Sequence, residues 1–174
     1  QIESEYADAH LNLGDVLSQM GEFQQALDCF DKVISINPND ADAYLNKGNT
    51  LKEIGKLDEA VRSYQKAYEI KPGFSDAHKH RANLLVDLER LDEGLEEYDS
   101  AIKFNQMDPD LFYLRGLLLI QLKRTHEASI DANRIVTIKS SAKNYERKAD
   151  LLSLMNREDE AIAAYEKSIE IDPG

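Results

Sequence analysis

Similar residues recur along this chain at a nearly constant interval, and this repetition constrains the fold more than any other feature. One column of small residues has spacings of 34, 34, 34 and 33 positions: Ala26, Ala60, Gly94, Ala128 and Ala161. A second small-residue column lies twelve positions earlier: Gly14, Gly48, Ala82, Gly116 and Ala149. A period of this length predicts an array of stacked supersecondary repeats, each of which buries its apolar face against its neighbours.

Large apolar residues follow the same rhythm. Leucine recurs without exception: Leu17, Leu51, Leu85, Leu119 and Leu152. An aromatic column is interrupted once, by Ala132: Phe30, Tyr64, Tyr98 and Tyr165. Apolar positions within each repeat have helical spacing, and Gly21 and Gly55 separate two helical stretches. Each repeat is therefore predicted to be two antiparallel helices, with small residues where they cross, because a larger side chain would force the axes apart.

The pattern also predicts element boundaries. Asp108 before Pro109 is typical of an N-cap followed by a first-turn proline. No strand is expected. The first helix of each pair is predicted near Ala7–Gln19, Ala41–Ile54, Ser75–Leu88, Pro109–Leu122 and Ala142–Met155.

These offsets resemble the tetratricopeptide repeat (TPR) family, most closely in the stretch DADAYLNKGNTLKEIGKLDEAVRSYQKAYEIKP. The resemblance implies an all-α, right-handed α–α superhelical solenoid whose concave groove is lined by the first helices. Residues 1–6 are interpreted as the tail of a preceding repeat. The five repeats are expected at residues 7–40, 41–74, 75–108, 109–141 and 142–174. Because no polar capping helix follows the fifth, the chain is expected to be part of a longer array.

The repeats depart from the family pattern in ways that predict local irregularity. Gly94 replaces alanine in the third repeat, and Gln106 and Ser140 replace the closing proline. The last helix and linker of the fourth repeat together lose one residue relative to the first three repeats. The junction of the fourth and fifth repeats is therefore expected to be the least regular.

Composition argues against several functional classes. The 21 Lys and Arg residues against 33 Asp and Glu give a formal net charge of −12, which disfavours nucleic acid as a partner. No apolar run approaches the ~20 residues of a membrane span. The single cysteine, Cys29, excludes an internal disulfide. These features favour a cytoplasmic location.

The sequence contains no recognisable combination of residues that is typical of a catalytic site. His78 and His80 are two positions apart, which makes them a poor metal pair on a helix. His10 and His78 share a column with aromatic residues and are interpreted as packing residues. Catalytic residues, metal ligands and cofactors are therefore not expected, and the chain is interpreted as a non-enzyme.

The resemblance places binding residues on the first helices. Asn12 and Asn46 occupy the position of the asparagine ladder that binds peptide backbone in the superhelix of O-GlcNAc transferases. Amides suit this role because they both donate and accept hydrogen bonds. Asn49 is included in the same predicted groove. The alternative is that these asparagines are ordinary solvated residues of the repeat.

The fourth repeat offers an apolar groove surface. Tyr113, Leu114 and Leu117 lie on one face of its first helix, which favours binding an apolar side chain or helix. The alternative is that a neighbouring helix covers this face.

The last three repeats partly resemble TPR domains that clamp the acidic tail of heat-shock chaperones. The matching positions are Lys79, Asn83, Lys143 and Arg147. Leu114 stands where such domains have asparagine, so the predicted ligand carries an acidic group beside an apolar residue. The alternative is that these basic residues balance nearby carboxylates.

The main hypothesis is a protein–protein interaction scaffold that binds an extended peptide or helix in its groove. Two alternatives remain: a non-catalytic regulatory or targeting region of a larger enzyme, and a module that self-associates through uncapped ends.

Overall fold

A computed structural model describes the backbone of residues 2–173 and the side chains from Tyr6 to Pro173. These residues form ten α-helices and no strand. In chain order the helices are α1 Ile2–Gln19, α2 Phe23–Ile36, α3 Ala41–Glu53, α4 Leu57–Ile70, α5 Ser75–Asp87, α6 Leu91–Phe104, α7 Pro109–Gln121, α8 Thr125–Ile138, α9 Ala142–Leu154 and α10 Glu158–Ile171. The predicted all-α class of paired helices is confirmed.

The helix starts follow local sequence signals. Asp40 caps α3 by accepting a hydrogen bond from the Ala43 amide at 2.9 Å. Asp108 caps α7 in the same way, with Pro109 in the first turn as predicted. The predicted first helices are confirmed, but the last four end one residue earlier than expected and α1 begins at Ile2 rather than near Ala7.

The chain divides into two compact units. The N-terminal unit extends to Asp87 and contains α1–α5, whereas the C-terminal unit begins at Leu88 and contains α6–α10. Within each unit, every complete repeat is a pair of packed helices.

The glycine column lies where the two helices of a pair cross. A Cβ built on Gly14 would lie 2.6 Å from Phe30 Cε1, and one built on Gly48 would lie 2.6 Å from Tyr64 Cε1. In the fourth repeat Ala132 supplies no ring, and Leu151 of the next repeat lies 2.9 Å from the same position on Gly116. A small residue is therefore required beside whichever side chain fills the crossing.

Successive repeats pack through the first helix of one and the second helix of its predecessor. Ala43 of α3 packs on Val33 of α2, and Leu151 of α9 packs on Ala132 and Ile135 of α8. The interface between repeats is thus made by recurring positions.

The connection between the fourth and fifth repeats is one residue shorter than the connection between the first and second. Three residues, 139–141, join α8 to α9, whereas four residues, 37–40, join α2 to α3. Asn144 is buried here, and its Nδ2 donates to the Lys139 carbonyl at 2.9 Å. This side chain satisfies a carbonyl at the end of α8 that has no intrahelical partner.

The outermost helix of the C-terminal unit presents an apolar face. Ile162, Tyr165 and Ile169 form this α10 outer face. Ile162 is 56% exposed, whereas the residues at its repeat position, Leu27 and Val61, are 5% and 7% exposed.

The first helix of the N-terminal unit presents a corresponding face. Leu13 and Val16 of α1, together with Met20 directly after its end, form this α1 outer face, and all three are exposed. Val16 is 52% exposed, whereas Leu151 at the same repeat position is fully buried against α8. Both outer faces therefore carry residues of the kind that join repeats inside the chain.

Candidate functional site

A polar pocket of about 310 Å³ lies between α1 and α3 in the N-terminal unit. We call it the α1–α3 pocket. Seven residues line it: Asp15, Ser18, Gln19, Phe30, Asn46, Asn49 and Thr50. Six of them come from first helices, because these helices lie side by side in successive repeats.

Hydrogen bonds cross this pocket from one repeat to the next. Asn46 Nδ2 donates to Asp15 Oδ1 at 2.6 Å. The Ser18 and Thr50 hydroxyl oxygens are 3.1 Å apart, and Thr50 Oγ1 donates to the Asn46 carbonyl at 3.0 Å. These contacts fix the side chains before any ligand arrives.

Tyr64 orients the amide of Asn49. Its hydroxyl donates to Asn49 Oδ1 at 2.9 Å, and burial raises the pKa of Tyr64 well above its usual value. The ring of His80 stacks on Tyr64 with centroids 5.7 Å apart. Since its oxygen is occupied, Asn49 retains the Nδ2 donor for a ligand.

Asp15 is half-buried in the pocket. Its pKa is raised, first by burial and then by the negative charge of Asp42. The structure gives it one hydrogen-bond donor, Asn46, and no ion pair among the described residues. A charged donor in the pocket would compensate this carboxylate.

The other predicted groove residues of the N-terminal unit lie outside the pocket lining. Asn12 is exposed on α1. Lys79 Nζ donates to Asp76 at 2.8 Å, and Asn83 is half-buried on α5. Of the three predicted groove asparagines on α1 and α3, the structure brings two, Asn46 and Asn49, into one pocket.

The predicted apolar surface lies in the C-terminal unit and is partly covered. Tyr113, Leu114 and Leu117 are half-buried on α7. Tyr113 and Leu117 pack against the cluster of Phe112, Ala132, Ile135 and Leu151. Neighbouring helices therefore cover part of this face.

Arg147 on α9 already has a carboxylate partner. Its Nη1 lies 2.5 Å from Asp110 Oδ1, and its guanidinium lies over the Tyr113 ring at 5.3 Å. Burial and the nearby Asp150 raise the pKa of Tyr113. Lys143 is exposed at the start of α9. An anionic ligand at Arg147 must therefore compete with Asp110.

Sequence comparison decides the family. Sequence models described as tetratricopeptide repeat match residues 7–40, 29–62, 51–118 and 142–174. This chain is a TPR protein.

Solved structures share the fold of this TPR protein. MamA is 20% identical with a TM-score of 0.79, over 98% of this chain and 93% of the other. PilF from Pseudomonas aeruginosa is 21% identical with a TM-score of 0.81, over 98% and 78%. YrrB, described as a TPR protein with an unusual peptide-binding site, is 22% identical with a TM-score of 0.71, over 94% and 85%. No curated protein sequence matches this chain.

Two observations bear on the chemistry of this TPR protein. The described residues contain no group of three or more His, Cys, Asp or Glu side chains arranged to hold a metal ion. Within the same part of the chain, every helix falls short of the length and apolar character that a bilayer span requires.

Thr50, Gln19 and Phe30 line the pocket but were not predicted as groove residues, and only Thr50 carries a signal in the repeat pattern. The repeat position of Thr50 holds leucine in the third, fourth and fifth repeats, at Leu84, Leu118 and Leu151. Thr50 is nevertheless fully buried. A hydroxyl in an otherwise apolar column was the signal, because a buried polar group needs a hydrogen-bond partner.

Proposed function

We propose that this TPR protein is a non-catalytic interaction scaffold and that its α1–α3 pocket binds an extended segment of a partner protein. The pocket is the observation that carries the proposal. The side-chain amide of Asn49 supplies an N–H donor, and the side-chain oxygen of Asn46 supplies an acceptor one turn earlier on α3. An extended peptide has unpaired main-chain N–H and C=O groups that complement such amides.

The size and rigidity of the pocket support this role. Its volume of about 310 Å³ is at the small end of the ~300–1,000 Å³ range of ligand pockets. That volume suits one side chain and its adjoining main chain. The hydrogen bonds among Asp15, Asn46, Ser18 and Thr50 reduce the entropy lost when a ligand binds. The description of YrrB as a peptide-binding TPR protein is consistent with the proposal.

The test begins with selection of binding peptides from a random display library on the wild-type protein. A labelled selected peptide is then titrated against wild type, Asn46→Ala and Asn49→Ala by fluorescence anisotropy. We expect Kd to rise about fivefold for each variant, since a hydrogen bond contributes ~1 kcal/mol.

Asn39→Ala is the matched control, because Asn39 is an exposed asparagine in the connection before α3. Its Kd should equal that of wild type. Unchanged affinity for both pocket variants would show that the peptides bind elsewhere and would exclude this site.

A second part of the proposal concerns the C-terminal unit. An acidic group beside an apolar residue would contact Lys143, Arg147 and the side chains of Tyr113 and Leu114. Lys79 and Asn83 belong to the N-terminal unit, so their participation stays a prediction. Because Asp110 pairs with Arg147 at 2.5 Å, the bound acid would replace that carboxylate.

This binding is tested with a peptide that ends in a hydrophobic and an acidic residue, alongside its amidated twin. Arg147→Ala should weaken binding of the free-acid peptide. Asp110→Asn should strengthen it, because the competing carboxylate is removed. Equal binding of the two peptides, or no effect of either substitution, would exclude this surface and leave the α1–α3 pocket as the one proposed binding site.

Self-association is a second candidate function, favoured by the exposed outer faces. The α10 outer face would pack on the α1 outer face of a second copy. Inside the chain, the residue at the repeat position of Val16 packs on the preceding repeat, as Leu151 packs on Ala132 and Ile135. The second copy would thus reproduce the contact that joins one repeat to the next.

Sedimentation velocity over a concentration series tests this contact. Ile162→Glu should keep the protein monomeric where wild type associates. Ile130→Glu is the matched control, because Ile130 on α8 is also 56% exposed and lies on neither outer face. A wild-type protein that stays monomeric throughout would refute self-association.

A further inference from the structure

The hydrogen bonds in the α1–α3 pocket determine which atoms remain for a ligand. Thr50 has one hydroxyl hydrogen, and it is donated to the Asn46 carbonyl at 3.0 Å. The 3.1 Å contact between Ser18 and Thr50 must therefore use the hydrogen of Ser18. The Ser18 oxygen is left with lone pairs only, so toward a ligand it acts as an acceptor.

Asp15 adds a charged acceptor one helical turn away from Ser18. Its Oδ1 accepts from Asn46 at 2.6 Å, and Oδ2 has no donor among the described residues. The other charge that acts on Asp15 is Asp42, which is also negative. The carboxylate thus lies in a concave site where no described residue supplies a compensating cation. Its half-burial makes an added positive charge more favourable than at an open surface.

We infer that the α1–α3 pocket selects a lysine or arginine side chain of the bound segment. This inference rests on the proposed function. The cationic head donates to Asp15 Oδ2 and Ser18 Oγ. Asn49 Nδ2 is then available to a main-chain carbonyl of the same segment.

The charge of the whole chain agrees with a cationic side chain in the pocket. The formal net charge of −12 attracts basic segments before contact. An acidic side chain would instead meet Asp15 and Asp42, and like charges within a few ångströms repel.

The experiment uses a peptide selected on the wild-type protein as described above. Each lysine in it is replaced in turn by norleucine, and each arginine by citrulline. All peptides are titrated against wild type, Asp15→Asn and Asp8→Asn. Asp8→Asn is the matched control, because Asp8 is an exposed aspartate on α1 that does not line the pocket.

We expect one replacement to weaken binding to wild type and Asp8→Asn about tenfold, a typical effect for a charge-assisted contact. The same replacement should change the Kd of Asp15→Asn less than about twofold. If Asp15→Asn alters the melting curve, the same peptides are titrated against Ser18→Ala, which removes the other acceptor of the same contact.

Two outcomes overturn the inference. If every replacement affects wild type and Asp15→Asn equally, Asp15 does not recognise the basic side chain. If selected peptides depend on Asn46 and Asn49 but need no basic residue, the pocket binds peptides without this selectivity. In both cases the proposed function survives, whereas peptides insensitive to Asn46, Asn49 and Asp15 would end both proposals.

Discussion

Tyr64 occupies the space that a side chain at position 48 would need. Its ring is fully buried, its hydroxyl is bonded to Asn49, and His80 stacks on it. Tyr165 has the same repeat position, but it is 39% exposed and coexists with alanine at position 149. At position 48, by contrast, the ring beside the backbone is buried and is held by Asn49 and His80.

Gly48→Ala should destabilise the protein. The new Cβ would lie 2.6 Å from Tyr64 Cε1, and overpacking of this kind costs ~1–3 kcal/mol. Alanine recovers ~1 kcal/mol through helix propensity, so we expect a net loss on the order of 1 kcal/mol in urea unfolding.

The control for this substitution is the Tyr64→Ala background. There the ring is absent and only the propensity gain remains, so Gly48→Ala should stabilise the variant. A loss of stability in both backgrounds would show that the ring is not the cause.

Arg115 compensates a buried carboxylate in the C-terminal unit. Its Nε and Nη2 donate to the two oxygens of Asp131 at 2.9 and 2.6 Å, and Nη1 donates to Asp99 at 2.5 Å. Asp131 is 1% exposed, and burial raises its pKa although Arg115 opposes the shift. Removing the guanidinium would leave that carboxylate without a counter-charge.

Arg115→Leu should lower the free energy of unfolding at pH 7 by ~3–5 kcal/mol. The deficit relative to wild type should shrink as the pH falls. Because Arg115 opposes the upward shift of the Asp131 pKa in wild type, that pKa rises further when Arg115 is removed. As the pH falls towards the ordinary range of an aspartate, protonation of Asp131 therefore stabilises the folded variant more than it stabilises folded wild type. Urea titrations at two pH values measure both effects.

The double variant Arg115→Leu/Asp131→Leu separates charge from packing. It should recover much of the lost stability, because neither charge remains buried. A double variant as unstable as Arg115→Leu would assign the effect to lost packing instead.

Position on a first helix was enough to bring two of the predicted asparagines into one pocket, but the hydrogen bonds of the pocket could not be predicted from the sequence. Asn46 and Asn49 were assigned from their position on a first helix, and both line the pocket. The direction of the Ser18–Thr50 bond was not predictable, because it depends on two helices whose side chains meet only after the repeats stack. Likewise, the pairing of Arg147 with Asp110 joins α9 to α7.

At the scale of elements, one turn position adopts the left-handed conformation in every repeat. Gly21 and Gly55 have φ values of 81° and 76°, and Glu89, Lys123 and Asn156 have values of 58°, 60° and 58°. Glycine takes this conformation without the clash that a Cβ causes, and asparagine tolerates it better than most residues. Glu89 and Lys123 therefore hold strained turns.

Lys123→Gly should stabilise the protein. Relief of the left-handed strain contributes ~1–2 kcal/mol, and the greater freedom of glycine in the unfolded chain offsets part of it. We expect a net gain of ~0.5–1 kcal/mol, measured by thermal unfolding. Asn156→Gly should gain less, and a Lys123→Gly protein no more stable than wild type would contradict the strain argument.

The repeat period was sufficient to place the helices, because helix length and turn position recur together. The starts predicted at Ala41 and Pro109 are those of α3 and α7 in the structure. The shortening of the fourth repeat was also visible in the sequence, but the hydrogen bond that Asn144 makes at the shortened connection was not. Asn144 occupies a position where the second and third repeats have alanine, and its bond to the Lys139 carbonyl requires the shortened connection itself.

At the scale of the whole molecule, the predicted recognition residues are distributed over two compact units. The α1–α3 pocket lies wholly in the N-terminal unit, and the Arg147 surface lies wholly in the C-terminal unit. Each proposal can therefore be tested by substitutions within one unit. This division was not predictable from the sequence, since the leucine column runs through both halves without interruption.

The two outer faces differ from each other in sequence and in the helix that carries them. The proposed contact between the α10 outer face and the α1 outer face of a second copy would be heterologous, so each added molecule would expose a fresh acceptor and growth would be stepwise. Ile162→Glu would block one end and leave the other intact. Such a molecule would join a growing oligomer once and then terminate it. In a mixture it would act as a chain stopper, and a small mole fraction would shorten the whole length distribution.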